Sequence, residues 1–331
     1  MNYSYFFGID LGKSSFDACL MSCEGAIIHS FHLPNTPDGY EKLCSALTVD
    51  SIKASSILFC AEDMGTYTYD LALFCTSNNF PLCLCCPLSI KKSIGLQRGK
   101  NDRIDARRIA DYALTHYRKL KLYVLPDPVI VELRACLIIR EKLVKQKVTD
   151  SRLLETVTEM GRMGNTHKQV QLLKDSLEEV KRKIAELEEI MSVLLQQEAP
   201  VSTNYELLTS IKGVGLVNAV VLICVTNNFT KFSDHRKFAC YCGVAPFEYS
   251  SGTSIRGKTR VSPLAHRNVK VYLTRAALTA VTWEPQMKAY YKRKLEQGKH
   301  KAAVINAVRA KIIARCFAVI RRQTPFVAIQ A

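Results

Sequence analysis

The sequence predicts an α/β domain followed by long helices, on three observations. The first 125 residues alternate short apolar runs with amphipathic stretches. Beyond Leu125-Pro126-Asp127-Pro128 the apolar spacing takes on a helical period. The last quarter concentrates positive charge. The chain has 331 residues, enough for two domains with separate cores, and its 48% hydrophobic content is that of a folded globular protein.

Taken in order, residues 3–11 (YSYFFGIDL), 15–22 (SFDACLMS) and 26–33 (AIIHSFHL) read as three strands joined by short turns, with Glu24-Gly25 as a hairpin signal. Residues 36–47 have helical spacing, with Thr36 as N-cap and Pro37 at the first helical position. A buried strand (55–62), a helix (66–78), a second buried strand (80–88) and a charged helix from about Asn101 to His116 complete the order βββαβαβα.

In residues 126–200, Leu173, Leu177, Val180, Ile184, Leu187, Met191 and Leu194 step by alternating fours and threes, the seam of a coiled coil or a helical hairpin. Gly161–Asn165 (GRMGN) is the expected hairpin turn. Packing within its own domain and dimerisation both explain such a seam. Residues 201–331 are expected to be mostly helical. They begin with a helix, a turn holding Gly213 and Gly215, and a second helix, the pattern of a helix-hairpin-helix whose glycines let backbone amides approach a phosphate. A simple interhelical connection reads the same way.

No apolar run reaches the roughly 18 to 20 residues of a membrane span. The first residues, MNYSYFFGID, lack the basic region and cleavage site of a signal peptide, so a cytoplasmic protein is expected. The 13 cysteines are dispersed through apolar stretches, as small buried hydrophobes would be. Cys83, Cys85 and Cys86 lack the partner spacing of a zinc site. Of the net charge of +16, most lies between Gly252 and Arg322, where 17 Lys or Arg face only Glu284 and Glu296. Such a block marks a surface that meets a polyanion, nucleic acid being the commonest, although a solvated basic face is the plainer alternative.

The first strand carries Asp10 among apolar residues, a costly position for a carboxylate unless a cation or a partner neutralises it. Glu62 ends the fourth strand, where α/β sheets present functional groups, and Asp102 and Asp105 share one face of the charged helix. Four carboxylates from these elements suit Mg²⁺ or Mn²⁺ and the two-ion chemistry of phosphodiester cleavage. Each has a duller role open to it: Asp10 capping a turn, Glu62 solvated, Asp102 as N-cap, Asp105 paired with Arg108. Asp63 and Asp111 read as bystanders. A second constellation is GVAPFEYSSGTSIRGKTRVS, residues 243–262, in which serines and glycines crowd against Arg256, Lys258 and Arg260; a serine-glycine loop is the simpler account. Further on, Lys292, Arg293 and Lys294 follow an aromatic pair, a combination suited to gripping nucleic acid.

These motifs together resemble the DEDD transposases of insertion sequences, the insertion sequence 110 group that includes the pilin-gene invertases. GIDLGKSSFDACL, AEDMGTY and KNDRIDARRIADY are similar to the family's acidic motifs. SIKGVGLVNAVVLI, FACYCGVAPFEYSSGTSIRGKTRVS and NVKVYLTRAAL are similar, in the same order, to its C-terminal transposase domain. The resemblance implies a RuvC-like RNase H fold over 1–125, with Asp10, Glu62, Asp102 and Asp105 as metal ligands. It also implies Ser251 as a nucleophile that becomes joined to DNA. Double-stranded DNA, a guide RNA encoded by the element and a homo-oligomer are the implied partners. Asp63 stands where the family often has Ala or Ser, and SPLAHRN lacks a glycine that many members carry. Two other readings are a RuvC-like nuclease that hydrolyses with water, which needs the acids but not Ser251, and an actin-like kinase, which needs a second phosphate loop that this sequence does not offer.

Overall fold

In the N-terminal strands, alternate residues are drawn to opposite covered faces of one sheet, because almost every side chain from Phe6 to Leu20 on those strands is apolar. The computed structural model describes residues 3–49, 52–93, 95, 101–252 and 255–327. The chain divides into two compact units, Met1–Leu125 and Pro126–Ala331.

In the first unit, β1 (Tyr5–Leu11), β2 (Ser15–Ser22), β3 (Ile27–Pro34), β4 (Ile57–Glu62) and β5 (Leu82–Cys85) form a five-stranded sheet in the order β3-β2-β1-β4-β5. The first three strands are antiparallel, and β4 and β5 run parallel to β1. Phe7, Ile9, Phe16, Leu20, Ile57 and Phe59 pack one face of the sheet against α1 (Pro37–Val49) and α2 (Tyr69–Ser77). On the other face, Phe6, Leu58, Cys60, Cys19 and Met21 meet α4 (Asp102–His116), which follows a short helix α3 (Pro87–Ser93).

The sequence reading differs at two places here. Strand β5 is only four residues long, because Pro81 precedes it and Pro87 starts α3, and proline cannot donate to a ladder. The helix expected from residue 66 begins as a 3₁₀ turn, Gly65–Thr68, before α2.

The α4 helix lies close on the sheet because both surfaces are nearly bare. Ala106, Ala110 and Ala113 form its inner stripe, each fully buried, and β1 offers Gly8 beneath them. A Cβ at Gly8 would sit 2.2 Å from the Ala110 amide nitrogen and 2.3 Å from the Ala106 carbonyl oxygen. No side chain fits there.

The second unit is built on α5 (Pro128–Met160) and α6 (His167–Gln197), 33 and 31 residues long, packed as a helical hairpin. Gly161 caps α5, so the chain turns where the glycine-rich segment predicts. Every residue of the predicted seam is buried or half-buried, and Arg140 pairs with Glu188 across the helices at 2.6 Å. The base of the hairpin shares one core with α7 (Ala199–Thr209), α8 (Leu216–Thr226), α9 (His235–Tyr241), α10 (Arg267–Trp283), α11 (Pro285–Glu296) and α12 (Lys301–Arg322). Arg134 donates to the Cys224 carbonyl at 2.8 Å and the Tyr272 hydroxyl to Glu141 at 3.0 Å, fixing that base.

Within this helical region, β6 (Pro246–Ser251) and β7 (Ile255–Val261) form an antiparallel hairpin. The serine-glycine segment expected as a loop is therefore strand for most of its length. Phe247, Tyr249, Ile255 and Val261 supply the β propensity that the intervening small residues obscure. Nine cysteines are buried as expected, Cys83 and Cys85 among them in β5, whereas Cys86 is exposed. Among the described residues no helix is long and apolar enough to cross a membrane.

Gly8→Ala is expected to destabilise the chain by about 3 kcal/mol through overpacking against the α4 backbone. Urea unfolding measures this, and an unchanged midpoint would show that α4 does not need the bare strand.

Candidate metal centre and nucleic-acid surface

Asp10 lies two residues beyond Gly8 on β1, so its side chain points to the same sheet face, the one covered by α4. The N-terminal turn of α4 passes over this end of the sheet. Asn101 is the N-cap, its side chain accepting from the Arg103 amide at 3.0 Å, which leaves Asp102 as the first helical residue rather than the cap. Asp105 follows on the same face. Asp10, Asp102 and Asp105 each offer a carboxylate oxygen, and these atoms lie within 4.8 Å of one another.

Glu62 stands beside this group. Ile9 of β1 pairs with Ala61 of β4 in parallel register, which sets the next residues, Asp10 and Glu62, on adjacent strands. Glu62 is not among the three within 4.8 Å, but its charge is felt by Asp10. On the opposite side, β2 contributes an acid that the sequence reading passed over. Asp17 is directly across from Asp10 and so shares its face, and it accepts or shares a proton with His32 Nδ1 on β3 at 3.0 Å. The signal for Asp17 was present in the turn: once Gly12–Ser15 is taken as the reversal, residues equidistant from it must pair, and Asp10 and Asp17 are such a pair.

The electrostatics agree with the geometry. The Asp10 carboxyl is pushed up to about 6, first by burial and then by the negative charges of Asp105, Asp102, Glu62 and Asp17. Asp105 is partly compensated, since Arg108 donates to its Oδ1 at 2.6 Å, so one of the duller roles anticipated for it is present as well. A half-buried carboxylate crowded by others of its own sign is the arrangement that a cation relieves. All the donors are carboxylate oxygens, which fits a hard divalent ion. Asp63 is engaged elsewhere: its amide donates to the Cys85 carbonyl, and its Oδ1 accepts from the Gly65 amide at 3.3 Å. Asp111 is exposed.

The second constellation lies in the second unit. Ser251 ends β6, its backbone paired with Ile255, and Gly252 follows with φ +54°. Only the backbones of Ser251, Arg256 and Lys258 are described; their side chains lie outside the described residues. Arg260 is exposed on β7, across from Phe247. Lys292 and Arg293 are exposed on α11 and Lys294 is half-buried, its ammonium donating to Gln297. Arg293 and Lys311 both lie over the Tyr290 ring, with centroid distances of 5.8 Å and 4.6 Å. Gly213 has φ +99°, and a Cβ there would meet the Ala276 carbonyl at 2.5 Å, so α10 packs against this turn. At Gly215, which caps α8, nothing stands within 4 Å.

The acid cluster and the basic C-terminal region match two profiles in the same order along the chain. A transposase profile of the DEDD type, from the group named for the insertion element IS110, matches residues 7–160. One described as the transposase IS116/IS110/IS902 family matches residues 205–292. The chain belongs to this transposase family. The IS110-group assignment is supported by relatives along the whole length: the pilin gene-inverting protein of Moraxella bovis is 25% identical over 325 residues, 97% of each chain. That of Moraxella lacunata is 25% identical over 327 residues, again 97% of each. An uncharacterized 43.6 kDa protein of the insertion element IS110 from Streptomyces coelicolor is 34% identical over 106 residues, 32% of this chain and 26% of that one. This IS110-group chain is therefore a DNA transposase or recombinase.

Two outcomes follow from the raised Asp10 carboxyl. Below about pH 6 a proton competes for the site, so Mn²⁺ affinity measured by calorimetry is expected to fall about tenfold per pH unit, and Asp10→Asn to lose that dependence. In metal-free protein the sign is opposite to that of a salt-bridged acid. The folded state holds the proton more tightly than the unfolded chain, so this contribution to stability is complete below about pH 4 and lost as pH rises through about 6. Asp10→Asn is expected to raise metal-free stability at pH 8 by about 1 kcal/mol, reduced by solvent screening. Thermal melts across pH 4–8 read this out, and parallel curves for the two proteins would count against it.

Proposed function

We propose that this chain cuts and rejoins DNA through a covalent serine–DNA link, with a divalent cation, Mg²⁺ or Mn²⁺, held by Asp10, Asp102 and Asp105 and completed by Glu62. The observation that carries the reading is the convergence of the first three acids within 4.8 Å on one sheet face. The sheet order β3-β2-β1-β4-β5, antiparallel on one side and parallel on the other, supports a RuvC-like RNase H fold for the first unit. A cation in such a site neutralises phosphate oxygens and lowers the cost of deprotonating an attacking hydroxyl.

In this reading Ser251 Oγ attacks the scissile phosphorus. A phosphoserine bond forms, the P–O bond to the neighbouring nucleotide breaks, and the released hydroxyl takes up the proton that Ser251 loses. Rejoining is the reverse attack by a hydroxyl of another strand, so the number of phosphoester bonds is conserved and no external energy source is required. The position of Ser251 at the end of a strand, beside Gly252 and before Arg256, Lys258 and Arg260 in sequence, supports its role as a presented nucleophile next to positive charge. The 17 basic residues against two acids from Gly252 to Arg322 support binding of the DNA backbone. An element-encoded guide RNA and a homo-oligomer complete the proposal by family resemblance. The names of the Moraxella relatives point to DNA inversion as the kind of rearrangement.

Ser251→Ala is expected to abolish both strand cleavage and the protein–DNA adduct seen on denaturing gels, by about 10³-fold or more. Asp10→Asn is expected to do the same while leaving DNA binding in place. Cleavage that persists without Ser251 would replace the serine by water.

A further inference from the structure

A cleft of about 770 Å³ opens between α9 and the β6–β7 hairpin, with Tyr241, Phe247, Tyr249, Gly257, Arg260 and Leu264 in its wall. Three of these are large apolar side chains left in solvent: Phe247 is 47% exposed, Tyr249 69% and Leu264 67%. Folding gains little from them where they stand. Exposed aromatic groups gathered in one concavity mark a surface that awaits a partner.

The hairpin holds its rings in place. Phe247 and Tyr249 both line the cleft, Phe247 opposite Arg260 and Tyr249 opposite Gly257, and the ladder between these pairs carries a register irregularity of the kind that re-aims side chains. At Gly257 a Cβ would lie 2.8 Å from Tyr249 Cδ1. The tyrosine ring therefore rests across a strand that has no side chain beneath it, one side supported by backbone and the other open. Tyr241, behind the cleft, is stacked on His266 with centroids 5.4 Å apart. The wall is thus an aromatic platform with a guanidinium at its edge, and Glu248 adds a hydrogen-bond acceptor.

We propose that this cleft receives an unpaired nucleobase of a single-stranded nucleic acid, stacked on Tyr249 and Phe247, with Arg260 directed at the adjoining phosphate. The wall holds one cation, Arg260, and one anion, Glu248, and the basic stretch around it favours an anionic occupant. The segment that builds the cleft opens the most basic stretch of the chain, and exposed aromatic groups beside a guanidinium match a base joined to a phosphate. Duplex DNA hides its base faces in the stack and cannot use such a platform. The proposal rests on the reading of the chain as an enzyme of nucleic-acid strand exchange, in which strands are unpaired when they change partners.

The test uses the full chain and a fluorescein-labelled oligothymidylate of about 12 nucleotides, which has no pairing of its own, against a duplex of mixed sequence, both followed by anisotropy at one salt concentration. Changing Phe247→Ala and Tyr249→Ala together is expected to weaken oligothymidylate binding about tenfold or more and duplex binding by about twofold or less. Tyr249→Trp is expected to bind as the parent does, and Tyr249→Leu, which keeps apolar bulk without a π face, to lose several-fold. Circular dichroism melts confirm that each variant is folded. Equal losses for both nucleic acids, no loss, or a leucine variant that binds as the parent does would overturn the proposal. So would a change in oligomeric state by light scattering in place of a change in affinity, since the cleft would then be a contact between copies. Adduct formation is scored separately on Ser251→Ala: loss of the serine reading with selective oligothymidylate binding intact leaves the cleft standing, and the converse leaves the serine.

Discussion

The close seating of α4 on β1 is the contact on which the acidic site depends. Gly8 and the alanine stripe of Ala106 and Ala110 remove the side chains that normally separate a helix from a sheet, and backbone meets backbone at Gly8. Lowering the helix brings its first turn down onto the end of the strand, where Asp10 stands. With a larger residue at position 8 the two helical carboxylates would be carried away from Asp10 together, because Asp102 and Asp105 are fixed to one helix.

That seating collects charge of one sign around a half-buried carboxylate. The Asp10 carboxyl responds by holding its proton to about pH 6, while Arg108 pairs with the flanking Asp105 and His32 shares a hydrogen bond with Asp17, both from outside the cluster. The partners lie at the periphery and leave Asp10 crowded by like charge, a distribution suited to a cation between Asp10 and the helix. The fold thus stores an electrostatic cost at the centre of its site, which is a common mark of function.

The second unit solves a different problem. Its core is carried by helices, and the long α5–α6 hairpin is rooted in that core through Arg134 and Glu141. This helical unit carries the β6–β7 hairpin, on which Phe247, Tyr249 and Arg260 stand exposed. Short strands set on a helical scaffold give these three residues defined positions while leaving them exposed.

Much of this was legible in the residues alone. Apolar periodicity is a local property, so the first five strands, the helical seam and its glycine-rich turn could be read directly, as could the placement of Asp10 and Glu62 on two strands and of Asp102 and Asp105 on one helix; the short α3 and the β6–β7 hairpin, whose apolar pattern is brief or interrupted, could not. The chemistry of those four side chains then pointed to a divalent cation. What the sequence could not reveal depends on distances between segments far apart in the chain. Only the packed structure decided that Asp10, Asp102 and Asp105 meet while Glu62 stands beside them, that Asp17 faces the same site, and that Tyr249 lies over Gly257 in an aromatic cleft. Periodicity says which way a side chain points within its own element; strand register and the approach of backbones at glycine set what it faces.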